Sequence, residues 1–514
     1  MHKHIVICSD GTGNTAIKGR GTNVFKLYEA VDLEGHRTDG KKPAQIGFYD
    51  DGVGTGRLKA LAILAGAFGI GLSRNVRQLY TDLARVYEPG DRLFLFGFSR
   101  GAFTVRTLSG FIAACGIMDR RHRECTSDDQ LQRRVYRAYR AYRNRYRTRL
   151  MQLIRGGWTD APESVVKVRR KWAVQHEGDR GGAEPWQVPI AFVGVWDTVD
   201  AVGFPVPWLA DLWNTAVYRF KFPDHVLGPM VERARHALAI DDERHTFHPL
   251  LWDEKPKDDH KKKPEPDRIK QVWFSGVHCN VGGGYPKQGM SLVSLAWMME
   301  EAEAAGLRFS PLDRQLYHER QNVYDKLYDS RSGLAFFYRY LPRDVDRLCT
   351  DHSLTPKIHS SAVERILHAP QGYAPGNIPA RMKMVGPSMP VLERFVADMR
   401  KVLGQDHSLL ARVEQWIGLR RRAQMMVMVL AALVLILGVR RSQWSASDLS
   451  VWGLVRSLGA FVADTIAAAQ WGVFALLVAV AVVYVINLAA TRRMKHIFST
   501  FWFRVRPNSK KPTA

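Results

Sequence analysis

Residues 92–115 read RLFLFGFSRGAFTVRTLSGFIAAC, and this stretch decides the fold. It begins with a short apolar run, Arg92–Phe96, which predicts a buried strand. It continues as Gly101–Cys115, whose small and apolar residues predict a helix packed against that strand. A buried strand that leads through a glycine-flanked turn into a helix is typical of an α/β protein with a parallel sheet.

The same alternation extends in both directions along the chain. Four further short apolar runs predict buried parallel strands: His4–Cys8, Gln45–Tyr49, Ile190–Trp196 and Gln271–Phe274. Helical segments lie between or after them: Asn23–Asp32, Arg74–Tyr87, Gln130–Leu153 and Leu292–Ala305. We therefore expect an α/β fold with a mostly parallel sheet flanked by helices, whose strand-end turns gather at one edge and build the site.

The turn of the central stretch is Gly97-Phe98-Ser99-Arg100-Gly101, a GxSxG motif. The motif alone is weak, but its position between a strand and a helix is that of a nucleophile elbow, which presents a serine on a strained turn. Glycines suit the two flanking positions because larger side chains would clash with the adjoining strand and helix. The alternative is a serine in an ordinary strand-to-helix turn.

A serine nucleophile needs a base, and the base needs an orienting acid. Asp197 ends the strand 190–196 and His278 follows the strand 271–274, so the order is Ser, Asp, His, as in α/β-hydrolases. We predict a triad of Ser99, Asp197 and His278. The rival acids and bases in this part of the chain are Asp200, Asp241, Asp242, His245 and His248.

An oxyanion hole would use the backbone N–H of Arg100 and a second donor from a glycine-rich loop. The first choice for this loop is Ser9–Asn14, with Gly11 and Thr12 as donors and Asp10 tying the loop down. The alternative is the loop around Gly54. A phosphate-binding role for the first loop is disfavoured because no GxxxxGK[ST] motif is present.

These motifs together resemble the catalytic domain of the type VI secretion phospholipase effectors of the first lipase class. The resemblance rests on DGTGN, YDDGVGT, GFSRGAF, VWDTVDAVG, ALAIDDERHTFHPLLW and WFSGVHCNVGGGYP, in order over about residues 1–310. It implies an α/β-hydrolase fold, a Ser–Asp–His triad at Ser99, Asp197 and His278, and phospholipids or related acyl esters as substrate. The chain departs from this family in its basic segment 130–157 and its apolar C-terminal part.

Two apolar runs in the C-terminal quarter, 423–439 and 471–490, predict transmembrane helices. Arginine and lysine clusters flank both runs, which places the body and the C-terminus on the cytoplasmic side. The predicted domains are a catalytic domain, 1–420, and a membrane anchor with a basic tail, 421–514. The alternative is two buried core helices.

The formal net charge of +24 favours an acidic partner, namely nucleic acid, an anionic membrane surface or an anionic substrate. No nucleic-acid-binding signature accompanies the charge, which argues against nucleic acid. The basic segment 130–157 is interpreted as a helix packed on the body with a solvated basic face, or as a membrane-surface helix. The apolar residues within 203–260 form either a lid or a core helix.

The five scattered cysteines predict neither a disulfide framework nor a zinc site, and the chemistry needs no metal or organic cofactor. The sequence thus predicts a membrane-anchored serine hydrolase that cleaves carboxylic esters through an acyl-enzyme. The alternatives are a non-catalytic membrane scaffold on the same fold, or the same triad acting on a non-lipid ester or thioester. The oligomeric state is left open.

Overall fold

The protein is described from a computed structural model. The description covers residues 2–11, 21–52, 68–144, 161–176, 184–200, 225–254, 267–332, 335, 338–405, 409–441 and 470–506. Within these residues the chain forms one eight-stranded sheet with helices on its flanks.

All strand pairings within this sheet are parallel, in the order β2-β1-β3-β4-β5-β6-β7-β8. The strands are β1 (His4–Ser9), β2 (Gln45–Asp50), β3 (Arg92–Phe98), β4 (Ile190–Trp196), β5 (Val231–Ala239), β6 (Ile269–Phe274), β7 (Lys357–His359) and β8 (Lys383–Val385). Ser9 pairs with Gly97, and Phe98 pairs with Trp196. The carboxyl ends of β1, β3 and β4 are therefore level with one another at the same edge of the sheet.

The helices that precede the C-terminal part of the chain cover both faces of the sheet. They are α1 (Asn23–Ala30), α2 (Gly35–Thr38), α3 (Phe68–Val86), α4 (Arg100–Cys115), α5 (Asp128–Asn144), α6 (Ala161–Trp172), α7 (His278–Gly282), α8 (Gly289–Glu303) and α9 (Pro311–Glu319). One apolar core lies between the sheet and α3 to α6, and a second lies between the sheet and α1 and α8. The predicted α/β architecture with a parallel sheet is confirmed.

The five predicted strands are all present, with ends displaced by two residues or fewer. The prediction omitted the short strands β7 and β8, and also β5, which lies between β4 and β6. Its sequence, VERARHALA, carries two arginines and a histidine, and so lacks the continuous apolar run of a buried strand. Arg235 is nevertheless buried, because Glu301 of α8 accepts a hydrogen bond from its Nε at 2.5 Å.

The basic helix α5 packs against the body of the protein. Leu131, Val135, Tyr139 and Tyr142 are buried in the same core as α3 and α4. Arginines on the opposite side of the helix, such as Arg133, Arg137 and Arg140, are exposed. This is the arrangement of the first interpretation, a packed helix with a solvated basic face. Residues 145–157 of the predicted segment, and 203–224 and 255–260 of the possible lid region, lie outside the described residues.

The remaining helices belong to the C-terminal part of the chain. They are α10 (Val345–Asp351), α11 (Ser360–His368), α12 (Pro390–Gln405), α13 (Leu409–Arg412), α14 (Glu414–Arg441) and α15 (Gln470–Val505). A third apolar core lies among β6, β7 and these helices. The predicted domain boundary at residue 420 falls inside α14.

Among the described residues, one helical segment, Phe474–Val505, is long and apolar enough to cross a membrane by length and composition. It makes up most of α15. The side chains of residues 431, 432 and 434–441 lie outside the description, so this criterion does not test the other predicted span, 423–439, within α14. The prediction of two spans is therefore supported for one helix.

Helices α14 and α15 pack against each other where they leave the body. Ala423 and Val427 of α14 contact Val483 of α15. The Arg420 Nε donates to Asn487 Oδ1 across the pair at 3.1 Å. Other apolar side chains of the pair are exposed, among them Met425 on the outer side of α14 and Phe474 of α15.

The C-terminal end of α15 packs into the third core of the body. Phe498, Phe501 and Trp502 are buried there, and the Trp502 Nε1 donates to the Pro375 carbonyl oxygen at 2.7 Å. Helix α15 has 36 residues and is about 54 Å long at about 1.5 Å per residue. It therefore exceeds the hydrocarbon core of a bilayer, about 30 Å, by enough to dock on the body.

Candidate active site

Ser99 lies in a strained turn between β3 and α4. Its backbone has φ 58° and ψ −120°, a conformation that non-glycine residues rarely adopt and that is retained only where the surroundings enforce it. The Ser99 N–H donates to the Trp196 carbonyl oxygen at 3.0 Å, which holds the turn beside the end of β4. The geometry is that expected of a nucleophile elbow.

The two glycines of the motif are required by close packing of the backbone. A Cβ atom on Gly97 would lie 2.6 Å from the Gly101 carbonyl oxygen. A Cβ atom on Gly101 would clash with the carbonyl oxygens of Ser9, at the end of β1, and Asp10, just after it. The elbow can therefore form only because both positions lack a side chain.

Asp197 and His278 form a buried hydrogen-bonded pair. The His278 Nδ1 lies 2.5 Å from Asp197 Oδ2, and both side chains are almost fully buried. Asp197 follows β4 with a positive φ of 41°, and His278 is the first residue of α7, just after β6. With Nδ1 engaged by the carboxylate, the imidazole has Nε2 left for another partner.

His278 lies close to the Ser99 turn. The ring of Phe98, the residue before Ser99, packs against the imidazole with ring centroids 4.6 Å apart. The Phe247 ring packs edge-on against the same imidazole, with ring centroids 5.1 Å apart. The structure thus places the three predicted triad residues after β3, β4 and β6 at one edge of the sheet, with Asp197 and His278 in direct contact and Phe98, beside Ser99, against the imidazole.

Burial and charge set the ionisation of the pair. Burial alone would raise the pKa of Asp197, but the Arg343 guanidinium and the hydrogen bond from His278 outweigh burial and hold this pKa well below its usual range. Burial lowers the pKa of His278 below its ordinary value, although Asp197 acts in the opposite direction. At neutral pH the pair is therefore a carboxylate beside a neutral imidazole, which can accept a proton.

The rival acids and bases that are described have other partners. Asp242 Oδ2 accepts a hydrogen bond from the Arg244 side chain at 2.7 Å and from the His278 backbone N–H at 3.2 Å. Asp241 Oδ2 accepts from the Gly276 N–H at 2.6 Å, and His248 Nε2 lies 3.0 Å from the Leu341 carbonyl oxygen. The contacts of Asp241 and Asp242 support the backbone around His278.

The predicted oxyanion donors fall partly within the described residues. Arg100 is the first residue of α4, where backbone N–H groups have no carbonyl partner within the helix. The Gly11 N–H donates to Asp10 Oδ1 at 2.6 Å, so it would have to leave this partner to bind a substrate oxygen. Thr12 and Gly54 lie outside the described residues.

Asp10 organises the loop after β1. Its Oδ2 accepts hydrogen bonds from Thr22 Oγ1 at 2.6 Å and from the Tyr49 hydroxyl at 2.7 Å. The Asp10 N–H donates to the Asp50 carbonyl oxygen at 2.9 Å. These contacts join the loop after β1 to the end of β2 and to the residue before α1. Asp10 thus lies where its predicted supporting role requires it.

Two residues beside the site were not predicted from the sequence. Arg343 donates hydrogen bonds to both carboxylate oxygens of Asp197, and His236 of β5 accepts the Thr198 N–H through Nε2 at 3.1 Å. Arg343 lies 146 residues after Asp197 in a segment without a recognisable motif, so no sequence signal indicated it. His236 was missed because β5 was missed.

Parts of the chain are similar to other proteins. A family model described as "T6SS, Phospholipase effector Tle1-like, catalytic domain" matches residues 3–301. An uncharacterized protein of Saccharomyces cerevisiae, YEL023C, is 26% identical over 267 residues, which are 49% of this chain and 33% of that protein.

A crystal structure of an uncharacterized protein from Pseudomonas aeruginosa aligns with a TM-score of 0.34 and 18% sequence identity. The alignment covers 61% of this chain and 47% of that chain. The chain thus spans about a third of the yeast protein and about half of the Pseudomonas protein. Because the family model covers more than half of its residues, this chain belongs to the family of Tle1-like type VI secretion phospholipase effector catalytic domains.

Proposed function

We propose that the protein is a membrane-anchored serine hydrolase that cleaves carboxylic esters of phospholipids through a Ser99–His278–Asp197 triad on an α/β-hydrolase-like fold. Membership of a phospholipase effector family supports a lipid-ester substrate. The observation that carries the serine mechanism is the strained Ser99 turn beside the buried His278–Asp197 pair. Strained backbone of this kind clusters at active sites.

In the proposed reaction, Ser99 Oγ attacks the acyl carbonyl carbon while His278 Nε2 takes the hydroxyl proton. Asp197 holds the imidazole with Nδ1–H toward its carboxylate and stabilises the imidazolium. The oxyanion accepts hydrogen bonds from the Arg100 N–H and from a second donor, Gly11, Thr12 or the loop around Gly54.

Collapse of the tetrahedral intermediate breaks the ester bond, and His278 gives its proton to the departing alcohol. Water then attacks the acyl-enzyme with His278 again as base, and the fatty acid leaves. The chain's own groups supply every proton transfer, so the scheme needs no metal or organic cofactor.

We further propose that α14 and α15 anchor the protein in a bilayer, with the catalytic domain and the C-terminus on the cytoplasmic side. The exposed apolar side chains of the helix pair support anchoring. Basic residues at the body end of both helices, Arg421, Arg422, Arg492 and Arg493, support this orientation and contact with an anionic membrane surface.

The test is hydrolysis of mixed phospholipid vesicles by the full-length protein, with lysolipid and fatty acid measured together. Ser99→Ala should abolish product release and unfold at the same temperature as the wild type. Ser109→Ala is the matched control, because Ser109 lies on α4 and is as buried as Ser99, at 6% exposure. It should keep full activity. Product release by Ser99→Ala would contradict the assignment of the nucleophile.

If the wild type cleaves a soluble ester or thioester but no phospholipid, the triad assignment stands and the substrate class is wrong. If it cleaves no acyl compound, the protein is a scaffold on this fold.

A further inference from the structure

A buried arginine from outside the matched family domain contacts the orienting acid. Arg343 and Asp197 are both fully buried. The Arg343 Nη1 donates to Asp197 Oδ1 at 2.7 Å, and Nη2 donates to Oδ2 at 2.8 Å. The guanidinium also donates to the carbonyl oxygens of Ala239 and Phe247, each at 2.5 Å. The contact with Asp197 is a bidentate ion pair.

The site has a physical need for this contact. A fully buried carboxylate without a compensating charge tends to become protonated, because burial penalises the ionised form. His278 is neutral at neutral pH, and the Ala239 N–H, which donates to Asp197 Oδ1 at 3.1 Å, carries no net charge. Arg343 is thus the cation that keeps Asp197 ionised and able to accept the His278 Nδ1–H.

The planar guanidinium also fixes the orientation of the carboxylate. Two parallel hydrogen bonds restrict the Asp197 carboxylate group to the plane of the guanidinium. In this orientation the Asp197 Oδ2 lies 2.5 Å from His278 Nδ1. A lysine would place a point charge at the same position but could not bridge both oxygens while binding both carbonyl groups.

We propose that Arg343 is a positioning residue of the catalytic centre: it keeps Asp197 ionised and in the plane that orients His278 toward Ser99, and so sets the rate without touching the substrate. This inference rests on the proposed function. It extends the centre beyond residues 3–301, the part that the family model matches.

The chain around Arg343 is held by the helix pair. The strap, residues Tyr338–Arg343, lies against α14, where Gln424 Oε1 accepts the Tyr340 N–H at 3.0 Å and Gln424 Nε2 donates to the Tyr338 carbonyl oxygen at 2.7 Å. The Arg420 guanidinium stacks on the Tyr340 ring at 3.6 Å. Contacts with α14 in the C-terminal part of the chain therefore position Arg343 beside Asp197.

Several other charged and titratable groups face the pair, and they belong to different elements. Arg244 and Asp242 lie near His278 and bind each other. His236 of β5 is buried beside Asp197, and burial lowers its pKa to about 3, so it carries no charge at neutral pH. Arg244 engages Asp242, and among the described arginines and lysines the one that forms an ion pair with Asp197 is Arg343.

The experiment compares Arg343→Lys with the wild type in the full-length protein. The readouts are the thermal unfolding midpoint, the labelling rate with a fluorophosphonate, and kcat and KM for a soluble ester as functions of pH. We expect Arg343→Lys to lower kcat by about 10- to 100-fold, as removal of such a supporting contact commonly does, with little change in KM. The acid limb of its pH profile should move upward, because weaker compensation of the Asp197 carboxylate raises the proton affinity of the Asp197–His278 pair, whichever of the two groups takes the proton.

Arg365→Lys is the matched control. Arg365 is also fully buried, but its described hydrogen bonds go to backbone carbonyl oxygens of Val323 and Asp325. This variant should lose stability to a similar degree while keeping the wild-type pH profile. Arg343→Gln is the second variant in case the lysine variant does not fold. It removes the charge altogether and should lose more activity than Arg343→Lys.

A double substitution separates positioning from a general structural role. In an Asp197→Asn background, Arg343→Lys should lower kcat no further, because its effect passes through the carboxylate. The inference is overturned if Arg343→Lys keeps the wild-type kcat and pH profile, or changes them no more than Arg365→Lys. If the wild type neither hydrolyses esters nor reacts with the fluorophosphonate, the proposed function fails first and this inference with it.

Discussion

At the scale of single residues, the site combines a serine in a strained backbone conformation with a buried Asp197–Arg343 ion pair, and His278 is hydrogen-bonded to the carboxylate of this pair. Ser99 is held in its turn by close backbone packing, and Asp197 is held by Arg343 and the Ala239 N–H. Such groups are prearranged before substrate arrives, which reduces the reorganisation that the reaction requires. Because of this arrangement, we expect activity to change when a single side-chain atom is added or when one group gains a proton.

The first prediction concerns pH. His278 must be neutral to accept the Ser99 proton, so activity should fall as the pH falls through the His278 pKa. Burial lowers that pKa from its ordinary value of 6.5, so the acid limb of kcat/KM should have its midpoint below pH 6.5. A pH profile for a soluble ester measures this. A midpoint well above 7 would show that a different base operates.

The second prediction concerns the glycine after Ser99. Gly101→Ala should destabilise the protein by about 1–3 kcal/mol and reduce activity, because the new Cβ forces the loop after β1 away from the elbow. Gly418→Ala is the control, since a Cβ atom at Gly418 on α14 meets nothing within 4 Å. Thermal unfolding and ester hydrolysis of both variants check the prediction. Equal behaviour of the two would contradict the packing argument.

At the scale of helices and strands, the sequence predicted those elements whose burial comes from apolar residues. The runs of β1, β3, β4 and β6 have no polar side chain at most positions, so periodicity was sufficient to find them. Strand β5 is buried through pairing instead: Arg235 binds Glu301, and His236 lies 3.4 Å from Gln271 Oε1. The composition of β5 is therefore like that of an exposed segment. The pairing that buries its charged side chains depends on tertiary structure and cannot be seen in the local sequence.

The site residues show the same difference between positions that the local sequence indicates and positions that depend on distant contacts. The positions of Ser99, Asp197 and His278 at one edge of the sheet could be predicted because each follows an apolar strand at a recognisable turn. Arg343 could not, because its role depends on where the strap crosses the sheet edge, and that position is set by contacts with α14. The sequence around Arg343 contains no feature that distinguishes it from a surface arginine.

The third prediction belongs to α15, whose two ends have different surroundings. Trp502→Ala should lower the free energy of unfolding by about 3–5 kcal/mol, because it removes a fully buried ring and the hydrogen bond to Pro375. Trp471→Ala, at the other end, should change it little in detergent, since this ring is 84% exposed. Thermal unfolding in detergent compares the two. A large loss for Trp471→Ala alone would contradict the described packing of α15.

At the scale of the whole molecule, the C-terminal helices serve two roles in this account. Their exposed apolar sides fit a bilayer, and their body ends hold both the third core and the strap that carries Arg343. The proposed attachment to the membrane and the proposed role of Arg343 therefore depend on the same elements. The active site would lie close to the membrane that supplies a phospholipid substrate.

The fourth prediction follows from this arrangement. The full-length protein should remain in the membrane fraction after washing with high salt and alkaline carbonate, and detergent should release it, because apolar burial in a bilayer is insensitive to salt. Fractionation followed by immunodetection measures this. Release by salt alone would indicate a surface-bound protein held by its basic residues.

The central claim, a serine activated by the buried His278–Asp197 pair, is tested most directly by labelling the full-length protein with a fluorophosphonate and mapping the modified peptide by mass spectrometry. We predict a single adduct on Ser99 in the wild type, a labelling rate that falls sharply in His278→Ala, and no adduct in Ser99→Ala. An unreactive wild-type protein, or an adduct on a different residue with Ser99 unmodified, would contradict the account.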